Sequence, residues 1–234
     1  MTTTRSRQTL DERLLDLQRD LRSLASLVDV AIERSSRALA RLDRGLAQSV
    51  LAEDTRINEL RFKIEDDAIH LIAQQQPLAS DLRTIIAVIN VIVELERMGD
   101  YCVGIAKIAL LHDDKPLLQP FIDIPRMADV CRDILRASID AFVARDAEAA
   151  RTVAQSDDEI DQLYDRVYGE LLDAMRDDPQ SLDRATWLIW VAHNLERIGD
   201  RVQNICERTI FEVTGVMKEF ESHAVRRLSP PESE

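Results

Sequence analysis

Apolar residues recur along this chain at intervals of three and four, the spacing that lines one side of an α-helix. Leu10, Leu14, Leu17, Leu21, Leu24, Val28, Ala31 and Ile32 form the first stripe and predict a helix from about Leu10 to Leu42. Asp43 has the chemistry of an N-cap for a second helix, with Gly45 expected to help the chain turn. That helix carries Val50, Ile57, Leu60, Ile64, Ala68 and Leu71 and runs out at Gln74-Gln75-Gln76-Pro77. A third is expected from an N-cap near Ser80 to about Leu111, and a fourth carries Met127, Val130, Cys131, Ile134, Ile139, Phe142 and Val143. Asp146 is expected to cap a single fifth helix bearing Val153, Ile160, Leu163, Val167, Leu171 and Met175, ended by Asp177-Asp178-Pro179. A sixth runs from about Ser181 to about Phe220. Prolines fall between these stripes and not within them, at Pro77, at Pro179, and in the cluster Pro116, Pro120 and Pro125.

The stripes repeat. Adding 103 to Asp43, Val50, Asp54, Ile57 and Leu60 gives Asp146, Val153, Asp157, Ile160 and Leu163. Adding 100 to Leu95-Glu96-Arg97-Met98-Gly99-Asp100 gives Leu195-Glu196-Arg197-Ile198-Gly199-Asp200. The fold class that follows is all-α: two tandem three-helix bundles forming a pseudo-symmetric six-helix protein. The first repeat is expected over residues 1–112, a proline-rich connection over 113–125, the second repeat over 126–221 and a disordered tail over 222–234.

Composition narrows the function. A formal charge of −13 argues against nucleic acid as a partner, because phosphate binding needs a basic face. It fits cations, or a basic surface on another protein. The three cysteines are widely spaced and form no CxxC pair, so reduced thiols in the cytoplasm are the reading. The residues from Met1 to Gln8 show no signal-peptide pattern, and no apolar run approaches the ~20 residues that span a bilayer. Any membrane association is expected to be peripheral.

The candidate chemistry lies in the doubled stretch. Each copy puts two carboxylates at i and i+4 on one helical face, a like-charge pairing that costs roughly 0.2–0.5 kcal/mol in an isolated helix. Turn geometry gives each copy a facing partner. Asn58 lies 19 residues before Pro77 and Glu96 lies 19 after it, while Asp54 and Asp100 lie 23 away on either side. In an antiparallel hairpin these residues stand at equal heights. Around Pro179, Asp161 faces Glu196 and Asp157 faces Asp200. The second site thus gathers four carboxylates, and the first gathers three and an amide. Arginine pairing with Arg97, Arg197 and Arg201 is one answer to the repulsion. Two copies at matched heights favour a hard, oxygen-preferring cation such as Fe, Mn, Mg or Ca over Zn. His70 and His193 each lie three residues from a carboxylate, a weak echo of the Glu-x-x-His of di-iron bundles. A di-metal carboxylate enzyme or a metal-storage protein is therefore the alternative function. No Ser-His-Asp or Cys-His arrangement and no glycine-rich phosphate loop is present.

The segment Gln76-Pro77-Leu78-Ala79-Ser80-Asp81-Leu82-Arg83, taken with the doubled Leu-Glu-Arg-x-Gly-Asp stretch and the tandem units, resembles the PhoU family over about residues 10–220. The resemblance implies a non-enzymatic, cytoplasmic regulator of phosphate uptake and phosphate-starvation signalling. Such a protein is an adaptor between a phosphate ABC transporter ATPase and a sensor histidine kinase, and a homodimer. The resemblance also implies multinuclear iron, or another metal, on paired acidic motifs. Glu96 and Asp100, Glu196 and Asp200, and Asp157 and Asp161 match those motifs. Asp54 matches in part, because Asn58 stands where its second acid is expected.

Overall fold

The structure is a computed structural model describing the backbone of residues 2–112, 118, 123–217 and 220, and side chains from Gln8 onward apart from that of Asp157. Most of the proline-rich connection and the whole of the expected 222–234 tail lie outside the described residues. The described elements are all helical: α1 (Thr2–Arg41), α2 (Arg44–Gln75), α3 (Ala79–Leu111), α4 (Asp123–Ala144), α5 (Ala147–Gln155), α6 (Asp157–Asp177) and α7 (Leu182–Thr214), with a 3-10 turn at Pro179–Ser181 before α7. Helices α5 and α6 together fill the place of the fifth predicted helix, so the six-helix architecture holds.

The two repeats use the same local chemistry to turn. Leu42 and Arg145, themselves 103 residues apart, take left-handed φ values of 51° and 55°. The next residue then caps the following helix: Asp43 Oδ1 accepts from the Leu46 amide at 2.9 Å, and Asp146 Oδ1 accepts from Glu148 and Ala149 at 3.0 and 2.9 Å. The left-handed position is Leu42 and not Gly45, which already lies inside α2.

Several boundaries differ from the sequence reading. The fifth helix breaks at Ser156, where the hydrogen bonds shift to the tighter i→i+3 pattern, Ser156 N to Val153 O and Glu159 N to Ser156 O. Ser156-Asp157-Asp158-Glu159 is a helix-starting sequence, because acids favour the positive end of the helix dipole. The last helix ends at Thr214, not near Phe220, because Gly215 adopts φ 76° and its amide closes back on Phe211 O at 2.8 Å. α3 is entered through extended Leu78 without a side-chain cap, which leaves Ser80 within the first turn. α4 starts at Asp123, so Pro125 sits in the first turn, where a missing N–H costs nothing.

α1, α2 and α3 form one three-helix bundle, and α4, the α5–α6 pair and α7 form the second. The bundles share a continuous apolar core. The central helices α3 and α7 make the broadest helix pairing of the molecule, so both are buried on most sides. Polar contacts show that this pairing is antiparallel. Thr84 Oγ1 donates to Glu212 Oε1 at 2.8 Å, Glu94 Oε2 accepts from Arg201 at 3.2 Å and Asn204 at 3.1 Å, and Gly104 lies against Asn194. On the other side α1 and α4 run antiparallel through Arg22–Asp140 at 2.8 Å, with Arg132 reaching Asp29 at 3.1 Å and Glu33 at 3.2 Å. Antiparallel pairing of equivalent helices fits a local two-fold relation between the repeats about an axis perpendicular to those helices. Cys102, Cys131 and Cys206 are buried thiols, and burial pushes Cys102 up to about 12. Among the described residues no helix is long and apolar enough to cross a membrane.

Candidate metal centres

The hairpin geometry brings the predicted acids of the first repeat together. A Cβ built on Gly99 would lie 3.6 Å from Asp54 Oδ1 and 3.2 Å from Ile57 Cδ1, so α2 approaches α3 closely where glycine replaces a side chain. Burial and the facing Asp100 carboxylate push Asp54 above the usual carboxylate range, against the pull of the Asn58 amide and Lys107. Glu96 is raised in the same way, first by burial and then by Asp100, with Arg61 and Arg97 pulling it back. Asn58 Nδ2 donates to Asp54 Oδ2 at 3.0 Å. Asp54 Oδ1 is buried with no hydrogen-bond partner.

The second repeat repeats the arrangement more deeply. Glu196 is pushed up to about 7, first by burial and then by Asp200, with a smaller push from Asp161 against the pull of Arg197 and Arg201. Its Oε2 is buried without a hydrogen bond, and His193 Nδ1 lies 3.3 Å away without the alignment of one. Asp161 is buried. Asp157 opens α6, but its side chain lies outside the described residues.

Arginine pairing answers only part of this crowding. Arg197 Nη1 pairs with Asp200 Oδ2 at 3.0 Å within one helical turn. Arg201 forms its ion pair across the seam with Glu94, and acts on Glu196 of its own repeat only through a longer-range pull. Glu94 is a structural residue that spacing did not reveal, because its partners Arg201 and Asn204 belong to the other repeat. His70 stays on the exposed surface of α2, where Nδ1 meets Asp66 O at 2.9 Å.

As placed, no group of three or more His, Cys, Asp or Glu among the described residues converges to hold one ion. The donor chemistry nonetheless fits a hard cation. The two sites offer carboxylates without thiolates, and each leaves one buried carboxylate oxygen without a hydrogen bond. Asp54, Glu96 and Asp100 would hold a cation in the first repeat, and Asp161, Glu196 and Asp200 in the second. Its charge would offset the carboxylate repulsion and tie the paired helices together.

The model of the PhoU domain matches this chain twice, over residues 21–109 and 124–209. The chain belongs to the PhoU domain family. The two matches fall on the two bundles. A phosphate-specific transport system accessory protein, a PhoU homologue of Clostridium acetobutylicum, is 34% identical over 211 residues, which is 90% of this chain and 96% of that one. The corresponding Caulobacter vibrioides protein is 37% identical over 205 residues, 87% of this chain and 89% of its own. Two crystal structures share the fold. PhoU from Pseudomonas aeruginosa superposes with a TM-score of 0.83 at 32% identity, covering 88% of this chain and 99% of that one. The phosphate transport system regulatory protein PhoU from Streptococcus pneumoniae gives 0.85 at 31%, covering 90% and 100%.

Proposed function

We propose that this chain is a cytoplasmic accessory protein of a phosphate-specific transport system. In this reading it restrains phosphate uptake and phosphate-starvation signalling by linking the transporter ATPase to a sensor histidine kinase. The observation that carries the reading is family membership across both repeats, together with relatives named as phosphate-transport accessory proteins over nearly their whole length. The two bundles share one apolar core, and the strongly acidic chain suits docking onto basic faces. A homodimer is part of the proposal. The acidic sites hold hard cations, with iron foremost, in a structural role that pins α2 to α3 and α6 to α7.

Deleting the gene is expected to raise phosphate-responsive expression in phosphate-rich medium, and the tagged protein is expected to retain the transporter ATPase subunit. Unchanged expression together with no ATPase recovery would refute the role. Metal analysis tests the sites separately. The purified protein is expected to carry iron or manganese, and Glu196→Gln with Asp200→Asn is expected to lower the content of the second site. Equal metal in wild type and variant would remove the cation from the proposal. The di-metal enzyme alternative would replace it if these substitutions abolished a turnover.

A further inference from the structure

Two arginines of α7 act on the Glu196 carboxylate, Arg197 more strongly than Arg201. They are placed differently. Arg197 belongs to the acidic site itself, with Nη1 3.0 Å from Asp200 Oδ2. Arg201 points to the other repeat. Its Nη1 donates to Glu94 Oε2 of α3 at 3.2 Å, and Asn204 Nδ2 donates to the same oxygen at 3.1 Å. The pair is largely enclosed, with Arg201 17% and Glu94 18% exposed.

The first repeat reaches the same division by other means. Arg61 and Arg97 both act on Glu96. Arg61 is taken by Glu65, one turn along α2, at 3.0 Å. In each repeat, therefore, one of the two arginines near the paired acids is held by a glutamate outside them. The holder is local in the first repeat and lies across the seam in the second. The offset of 103 puts Tyr164 and Tyr168 where the first repeat has Arg61 and Glu65, so α6 has no copy of the local pair. The offset of 100 puts Asn194 where α7 would need a second Glu94, so the service is not returned.

Charge gives this arrangement a purpose. Asp161, Glu196 and Asp200 with Arg197 leave two net negative charges among the described side chains, which match one divalent cation. A second guanidinium turned onto these acids would halve that charge and repel the cation at short range. Its enclosure keeps water from screening the repulsion. We propose that Glu94 is a positioning residue for the second acidic site: it holds Arg201 on α3 and so leaves Asp161, Glu196 and Asp200 to a hard divalent cation. The inference rests on the cation reading of that site. It goes further by making a residue of the first repeat set the affinity of the second.

Full-length protein carrying Glu96→Gln and Asp100→Asn isolates the second site, and calorimetric titration with Mn(II) reads its affinity. In that background Glu94→Gln is expected to weaken Mn(II) binding about tenfold, because a full positive charge is left unmatched beside the acids. Adding Arg201→Gln to Glu94→Gln is expected to restore the affinity. Arg201→Gln alone breaks the same ion pair and is expected to bind Mn(II) at least as tightly as the background protein. A merely structural role predicts the reverse, since each of these changes removes more of the seam. Unchanged affinity in Glu94→Gln would overturn the proposal and leave the cation reading standing. So would a double variant as weak as Glu94→Gln, or weaker binding by Arg201→Gln alone. If circular dichroism shows that Glu94→Gln does not fold, Arg201→Gln alone decides by the sign of its effect. No Mn(II) binding by the background protein would remove the cation from the second site and this inference with it.

Discussion

Glu196 shows what a single side chain reports. Its folded pKa of about 7 lies above the ordinary 4.5, so the folded state holds the proton more tightly than the unfolded chain does. Stability from this group is therefore present below about pH 4.5 and is lost as pH rises through about 7 in cation-free protein. Glu196→Gln is expected to flatten that slope in pH-dependent denaturant melts and to be more stable than wild type above about pH 7. Added Mn(II) is expected to raise the wild-type melting temperature under the same conditions and to do less for the variant. Gly99 reports a different constraint. With Ile57 Cδ1 3.2 Å and Asp54 Oδ1 3.6 Å from an added Cβ, Gly99→Leu has no room. It is expected to cost about 1–3 kcal/mol in chemical denaturation. An unchanged midpoint would show that α2 yields there.

At the scale of the element, the caps set the hairpins. Asp43→Ala and Asp146→Ala are each expected to lower stability by about 1 kcal/mol. The second is expected to be the larger loss, because Asp146 serves two amides and Asp43 one. Thermal melts of the two variants and their double mutant give that ranking directly. Both caps were legible from Asp residues lying between two apolar stripes. The break at Ser156 was not, because apolar periodicity continues through Val153, Ile160 and Leu163 and hides a change in hydrogen bonding. The end of α7 at Gly215 was legible in principle, since glycine is the residue that takes the left-handed conformation.

For the whole molecule, the seam between repeats is the decisive structure. Glu94 takes hydrogen bonds from both Arg201 and Asn204, and Arg201 is only 17% exposed there. Glu94→Ala leaves that guanidinium unpaired and is expected to cost about 1–3 kcal/mol. A double-mutant cycle with Arg201→Ala is expected to be non-additive, since the two changes remove one interaction. Additive losses would mean that the seam is held by apolar packing alone.

The linear pattern by itself determined the helical class, the tandem repeat, and the approach of Asp54 to Asp100 and of Asp161 to Glu196 across the hairpins. It could do so because helix period and hairpin height depend only on residue spacing. The same arithmetic marked Asn58 as the odd member of the first site, and its amide is bonded to Asp54. Tertiary structure decided what spacing does not encode. It sent Arg201 across the seam to Glu94 and left Glu196 Oε2 buried without a hydrogen bond. It also brought Tyr101 of the first repeat beside Tyr164 and Trp190 of the second. Those outcomes depend on how two bundles with similar sequences meet, and that meeting is set by the antiparallel packing of α3 on α7.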